Sequence, residues 1–168
     1  MTLSMYQASI PVFLHMHGNL AGILDKGAAH AEANKIDPTV LVNARLYPNM
    51  FALARQVQIA TDATKGCAAR LSGQTPPSYE DNEASFAELK ARLDKTVAFL
   101  KTFKPEQIDG SEDKTIELKV GGKPMSFKGQ AYLLHYVLPN LYFHTTTAYN
   151  ILRHNGVDVG KADFLGKI

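Results

Sequence analysis

Apolar residues recur every three or four positions in four separate stretches of the chain, a period that predicts amphipathic helices. The first stretch spans about residues 5–33, and its apolar positions are Phe13, Met16, Leu20, Ile23 and Leu24. The polar segment 34–37 reads as the turn after this helix, and Asp37-Pro38 resembles an N-cap followed by proline at the first helical position. Helices with one apolar face must pack against each other, so the pattern predicts a helical bundle.

The second and third helices are bounded by turn residues. A heptad-like apolar seam extends from Met50 to Leu71, between Tyr47-Pro48 and Ser72-Gly73, and predicts one continuous helix. The polar segment 74–82 reads as a loop. The third helix then carries apolar residues at helical spacing and ends before Pro105; these residues are Phe86, Leu89, Leu93, Val97 and Leu100.

Between residues 108 and 128 the period changes from helical to alternating. Ile116, Leu118 and Val120 alternate with charged residues, and Gly121-Gly122 provides a turn that allows positive φ. This segment predicts a β-hairpin inserted between helices three and four. Two strands alone are marginally stable in water, so we expect their apolar face to lie against one end of the helices. We expect the tail, residues 157–168, to be irregular.

The fourth helical stretch, residues 130–156, places polar groups on its apolar face. Its inward positions are Leu134, Val137, Leu141, Ala148 and Ile151, and His144 falls in the middle of this row. Pro139 has no N–H and leaves the carbonyl of His135 without its helical partner, which predicts a kink. Asn140 follows directly. An inward imidazole and carboxamide beside a kink indicate a small polar pocket.

Composition limits the choice of location and partner. The chain of 168 residues is 45% hydrophobic, enough for a single domain over residues 1–168, and its formal charge is +2. The lysines are scattered, so nucleic acid is not an expected partner. No apolar run approaches the length of about twenty residues that spans a bilayer, and the N-terminus lacks a signal-peptide pattern. With Cys67 as its single cysteine, we expect a cytoplasmic protein without an intrachain disulfide.

The segment FHTTTAYNILRHNGV resembles the last helix of the DinB/YfiT-like helical-bundle superfamily. The whole chain resembles an uncharacterised bacterial family within it, through LYPNMFALARQVQIATDATKG, the hairpin TIELKVGGKPMSF and the closing VGKADFLG. The resemblance implies an all-α fold, a DinB-like four-helix bundle, here with the hairpin between helices three and four. Because that family has no known function, the resemblance implies a fold more than an activity.

Members of the superfamily typically bind a divalent metal through three histidines, one on the second helix and two spaced four apart on the last. In this chain the resemblance places His144 at the second of the paired positions and Asn140 at the first. Helix two has no histidine, and its polar candidates are Asn49, Gln56, Gln58 and Asp62. Neutral amides are poor ligands for nickel or zinc. We therefore expect no metal cofactor, with nickel or zinc as the alternative.

Two functional hypotheses follow. In the first, His144, Asn140, Asn49 and His17 line a small-molecule site under the hairpin. In the second, the protein is a degenerate divalent-metal enzyme, of transferase or hydrolase type, in which His144, His17 and an oxygen ligand from helix two hold the ion. The sequence leaves open whether the protein is an enzyme at all.

Each candidate also has a purely structural interpretation. His144 can be a hydrogen-bonded core histidine, Asn140 can bind backbone freed by Pro139, and Asn49 can cap a helix. Tyrosines crowd more than one side of the fourth helix, which is compatible with an expected homodimer; they are Tyr132, Tyr136, Tyr142 and Tyr149.

Overall fold

Four long helices and one small hairpin make up most of residues 3–167, the part of the chain that the computed structural model describes. The long helices are α1 (Ile10–Ala33), α3 (Leu53–Ser72), α4 (Phe86–Leu100) and α7 (Leu138–His154), and the short ones are α2 (Pro38–Val42), α5 (Pro105–Ile108), α6 (Gly129–Ala131) and α8 (Lys161–Leu165). A π-helical segment, Tyr132–Val137, joins α6 to α7, and the strands are β1 (Thr115–Val120) and β2 (Lys123–Lys128). The predicted helical fold with one inserted hairpin is confirmed.

The long helices share one core. Helix α1 packs against α4 and α7, and α3 packs against the same two helices, so each long helix has two long neighbours. Each contributes fully buried side chains, among them Phe13, Val57, Leu93 and Leu141. No helix within residues 3–167 is long and apolar enough to cross a membrane.

Capping residues set the helix boundaries at three points; the sequence predicts two of them, Asp37 and Gly73, whereas the cap at Ser85 was not predicted. The Asp37 carboxylate accepts the Thr39 N–H at 2.9 Å at the start of α2, and the Ser85 hydroxyl accepts the Glu88 N–H at 3.2 Å at the start of α4. Gly73 ends α3 with φ of 83°, a left-handed conformation in which glycine carries no Cβ penalty. These caps fix the ends of the helices that surround the site described below.

The predicted start of the second long helix is wrong. Helix α3 begins at Leu53, not at Tyr47-Pro48, because Ala52 is extended with ψ of 165°. The Leu53 N–H bonds the carbonyl of Ala44 at 3.0 Å, which holds residues 45–52 as a separate loop. Asn49 therefore lies in an exposed turn and caps no helix.

The predicted ends of the chain also need correction. Helix α1 begins at Ile10, five residues later than expected, with Pro11 in its first turn, where a missing N–H costs nothing. The tail is not irregular throughout, because α8 docks on α1. The Asn19 side chain donates to the Phe164 carbonyl at 3.0 Å, and the ring of His15 bonds the Leu165 carbonyl at 2.6 Å.

The kink predicted at Pro139 takes the form of a π-helical turn. The Leu138 N–H bonds the carbonyl of Leu133, five residues back. A π turn holds one more residue than an α turn, so it rotates the preceding side chains relative to α7. Leu133 is consequently buried, whereas Leu134, predicted to face inward, is 40% exposed. The other predicted inward residues of this helix are buried.

The hairpin lies at the C-terminal end of α3. Its strands pair antiparallel with Ile116 opposite Phe127. The Lys114 ammonium donates to the carbonyl of Leu71 at 3.1 Å, and the Phe127 ring lies 5.9 Å from the Tyr132 ring. The expected packing against one end of the helices is thus found at the base of the hairpin.

Close packing at Gly27 predicts opposite effects for two alanine substitutions in α1. A Cβ at Gly27 would lie 2.9 Å from the Phe86 ring and 3.1 Å from Leu152, whereas a Cβ at Gly22 would contact nothing within 4 Å. We expect Gly22→Ala to raise the free energy of unfolding by about 0.5–1 kcal/mol through helix propensity. We expect Gly27→Ala to lower it, because overpacking costs about 1–3 kcal/mol. Urea unfolding measures both, and equal stabilisation by the two variants would contradict the packing described here.

Candidate functional site

His144 lies on the inner face of α7 and contacts α3. It is 7% exposed, and its Nδ1 lies 2.7 Å from Oε1 of Gln56, in the first turn of α3. The Gln56 Nε2 donates to the carbonyl of Phe51 at 2.9 Å, across the loop that precedes α3. The prediction that the imidazole faces inward is confirmed.

This pair of contacts determines which nitrogen of His144 carries the proton. A backbone carbonyl only accepts hydrogen bonds, so the Gln56 end facing Phe51 is the NH₂ group. The other end is the amide oxygen, which also only accepts. Nδ1 of His144 must therefore be the donor, and in the neutral ring Nε2 keeps a free lone pair.

Burial, reinforced by the positive charge of Arg55, lowers the pKa of His144 to about 4. A buried imidazolium loses hydration, and a neighbouring guanidinium adds repulsion. At neutral pH the ring is uncharged. It can accept a hydrogen bond at Nε2, but it is too weakly basic to store a proton there.

Nε2 of His144 makes no hydrogen bond to the described part of the chain and is not completely buried. It has no hydrogen-bond partner within residues 3–167, yet it is not one of the fully buried unpaired side-chain atoms of those residues, which are His17 Nδ1 and Thr145 Oγ1. The Phe143 ring stands perpendicular to the imidazole at 5.2 Å. Phe143 is 57% exposed, so exposed aromatic surface lies against the histidine; Phe51, whose carbonyl binds Gln56, is 55% exposed.

His17 is buried at a different point of α3. Its Nε2 lies 2.7 Å from the Thr64 hydroxyl, and burial lowers its pKa to about 4. Thr64 follows Gln56 by eight residues, a rise of about 12 Å along a helix. The two histidines thus bond to separate positions, and the structure does not bring His17 into the His144–Gln56 pair.

The two asparagine candidates are placed differently again. Asn140 is half-buried, and its side chain donates to the carbonyl of Tyr136 at 2.7 Å, inside the π-helical segment. The bond ties Asn140 to backbone beside Pro139, but to the carbonyl of Tyr136 and not to that of His135, which Pro139 leaves without its helical partner. Asn49 is exposed in its turn. Of the four predicted site residues, only His144 makes a contact that defines a site.

The hairpin does not cover His144. It meets α3 near Leu71, fifteen residues beyond Gln56 and so about 22 Å away along the helix. An open groove of about 390 Å³ lies on the hairpin itself, lined by residues of its two strands. The predicted site under the hairpin is therefore wrong in position, because α3 and α7 run antiparallel and place the hairpin and His144 at opposite ends.

The described residues do not fit the three-histidine metal site that the superfamily implies. Within residues 3–167 no three His, Cys, Asp or Glu side chains cluster in a way that could hold a metal ion. The α3 residue that faces His144 is Gln56, whose amide is already engaged at both ends. Asn140 bonds the backbone. Two amides and one imidazole form a poor donor set for nickel or zinc.

A closed ring of charged and amide side chains lies beside this site and was not predicted. Arg55 donates to Gln58 at 3.2 Å, Gln58 donates to Glu83 at 2.9 Å, and Arg92 donates to Glu83 at 2.9 Å. Asp81 closes the ring by pairing with Arg92 at 3.0 Å and with Arg55. The ring fastens loop 74–85 across α3 and α4.

Arg92 is the buried centre of this ring. Its side chain is 1% exposed, and it also bonds the Thr61 hydroxyl at 2.8 Å and the Asp62 carboxylate at 2.9 Å. Asp62, one of the polar candidates of the second long helix, is thus paired with Arg92. The sequence of α4 gives no sign that Arg92 points inward. Charged residues occur along the whole helix, and nothing in their spacing distinguishes Arg92 from its exposed neighbours.

The family model for a domain of unknown function, DUF1993, matches residues 5–165. The chain belongs to the DUF1993 family. A crystal structure of a DinB family member protein from Shewanella denitrificans resembles this DUF1993 chain with a TM-score of 0.87 and 42% sequence identity, over 97% of this chain and 92% of that one. The resemblance to an uncharacterised family within the DinB-like superfamily is confirmed. A search of curated proteins finds no match.

Buried neutral His17 predicts an acid-sensitive DUF1993 fold. Its pKa of about 4 in the folded chain lies below the ordinary 6.5, so the unfolded chain takes up the proton first as the pH falls. The stability from the neutral ring is complete above pH 6.5 and is lost towards pH 4, by about 3 kcal/mol. Urea unfolding from pH 7 to 4 should show a smaller loss in His17→Leu than in the unaltered chain; parallel losses would contradict the assignment.

The closed ring of charged and amide side chains around Arg92 predicts unequal effects for two charge deletions in α4. Arg92→Met leaves Glu83 and its neighbours without their buried partner and should lower the free energy of unfolding by about 2–4 kcal/mol. Lys90→Met, which breaks the exposed pair with Asp25, should change it by less than about 1 kcal/mol. Denaturant unfolding compares them, and similar small effects would show that the ring adds no stability.

Proposed function

We propose that this chain is a DinB-like four-helix-bundle protein that binds a small molecule at His144 and does so without a metal. The observation that carries the proposal is the His144–Gln56 bond of 2.7 Å. It fixes the proton on Nδ1 and leaves Nε2 as an oriented, unpaired acceptor. Among residues 3–167, the unpaired nitrogen of the core residue His17, Nδ1, is fully buried, whereas the unpaired Nε2 of His144 is not.

The bordering side chains support the same proposal. Large apolar residues are rarely exposed side by side without a reason, and exposed patches frequently mark binding surfaces. Phe143 packs its ring against His144 from α7, and Phe51, on the loop before α3, is joined to His144 through Gln56; both rings are exposed. A ligand with an N–H or O–H group would donate to Nε2 and cover part of this aromatic surface.

The metalloenzyme alternative finds no support in the geometry. It requires His17 and His144 to share one ion at about 2.0–2.1 Å, and these rings bond to α3 residues eight positions apart. The homodimer and the cytoplasmic location stay predictions. Tyr132 is 1% exposed, which leaves Tyr142, at 40% exposed, as the more accessible tyrosine for a dimer contact.

A thermal-shift screen of small polar and aromatic molecules tests the proposal. A ligand present at 100 times its Kd adds about 2.7 kcal/mol of stability. We expect His144→Asn to abolish the shift produced by a binding molecule, because Nε2 is lost. His17→Asn is the matched control, since it also removes a buried imidazole but leaves the site unchanged.

Equal loss of the shift in both variants would assign His144 a core role only. Metal analysis of the protein purified without an affinity tag should find no stoichiometric nickel or zinc. A bound metal that disappears in His144→Asn would contradict the metal-free proposal.

A further inference from the structure

Arg55 presents an unused edge beside His144. Its two hydrogen bonds, to Gln58 and Asp81, both leave from Nη1. Nε and Nη2 have no partner within residues 3–167, and the side chain is 39% exposed. The guanidinium fork matches a carboxylate when two of its nitrogens donate together, and here two nitrogens are available.

The guanidinium is also held in place. Asp81 and Gln58 bind the Arg55 guanidinium and connect it to the hydrogen-bonded ring around Arg92. The Cζ of Arg55 lies 6.0 Å from the centre of the Phe51 aromatic ring. A side chain that is already ordered loses little rotamer entropy when it binds a ligand. Arg55 is therefore suited to recognise a group at a defined position.

The position of Arg55 relative to His144 follows from Gln56. Gln56 is the next residue in α3, and its amide joins the Phe51 carbonyl to the His144 ring. At this end of α3 the Arg55 guanidinium lies 6.0 Å from the Phe51 ring, its charge acts on His144, and the Phe143 ring packs against His144.

We infer that Arg55 and His144 together bind a small aromatic carboxylate that carries a hydroxyl or N–H group. The carboxylate accepts from Nε and Nη2 of Arg55, the ring lies against Phe51 and Phe143, and the hydroxyl or N–H donates to Nε2 of His144. This inference rests on the proposed function and names the class of its ligand.

The three hydroxybenzoate isomers are the probes, because together they vary the spacing between the two polar groups. The hydroxybenzamides are neutral controls of the same shape. Titrations followed by NMR of the His144 ring give the affinity at the site itself. We expect at least one hydroxybenzoate to bind roughly tenfold or more tightly than its amide, as expected for charge-assisted hydrogen bonds.

Three arginine variants test whether the positive charge that binds the carboxylate belongs to Arg55. We expect Arg55→Gln to weaken the hydroxybenzoate roughly tenfold and its amide less than twofold. Arg153→Gln removes an equal charge from an exposed position at the other end of α7 and should change neither. Arg55→Lys keeps the charge but loses the two-nitrogen guanidinium fork, so it should bind the hydroxybenzoate with intermediate affinity. It tests the role of the fork if Arg55→Gln is too unstable to measure.

Amides that bind as tightly as the acids would overturn the carboxylate inference and leave the small-molecule proposal standing. Equal weakening by Arg55→Gln and Arg153→Gln would also overturn it, because the charge would then act only through the overall field. Failure of both probe series to shift the His144 resonances would overturn the inference, whereas the proposed function is contradicted only when the thermal-shift screen finds no molecule that depends on His144.

Discussion

The hydrogen bond between His144 and Gln56 is the interaction on which the account of this protein depends. A buried imidazole and a buried amide would each cost stability if left unpaired, by about 1–3 kcal/mol. Here they satisfy one another at 2.7 Å, and the other end of the amide bonds the Phe51 carbonyl. One glutamine thereby joins α7, α3 and the preceding loop. It also sets the tautomer of the histidine, and with it the single chemical property that the site offers, an acceptor at Nε2.

The surrounding fold explains why this acceptor lies at an accessible edge. Helices α3 and α7 run antiparallel, so the start of α3 meets the middle of α7, while the π-helical segment and the hairpin meet the far end of α3. The loop before α3 carries Phe51 to the surface, and the Arg92 ring holds loop 74–85 beside Arg55. The fold thus buries the histidine's Nδ1 against Gln56 and packs the Phe143 ring against the imidazole.

Much of this fold follows from sequence periodicity, because helix faces, caps and a glycine turn are local signals. The inward position of His144 was predictable for that reason. The prediction for Leu134 is wrong because one extra residue in a π turn rotates every side chain before it. A pattern search based on 3.6 residues per turn does not detect such a turn. The late start of α3 depends on a long-range bond between Leu53 and Ala44.

The candidate site was only partly predictable. Gln56 was one of four polar candidates in its helix, and the choice among them depends on how α3 is rotated against α7. The Arg55–Gln58–Glu83–Arg92–Asp81 ring joins three segments and leaves no periodic trace. His17 faces inward but bonds Thr64, and Asn49 lies in an exposed turn, because the positions of both depend on long-range packing.

A long-range ¹H–¹⁵N NMR spectrum of the protein with ¹⁵N-labelled histidine tests the central claim most directly. At pH 7 the account predicts that His144 is neutral, with a protonated Nδ1 and an Nε2 shift typical of an unprotonated nitrogen. Gln56→Leu should remove this preference. A His144 ring protonated at Nε2, or charged at pH 7, would contradict it.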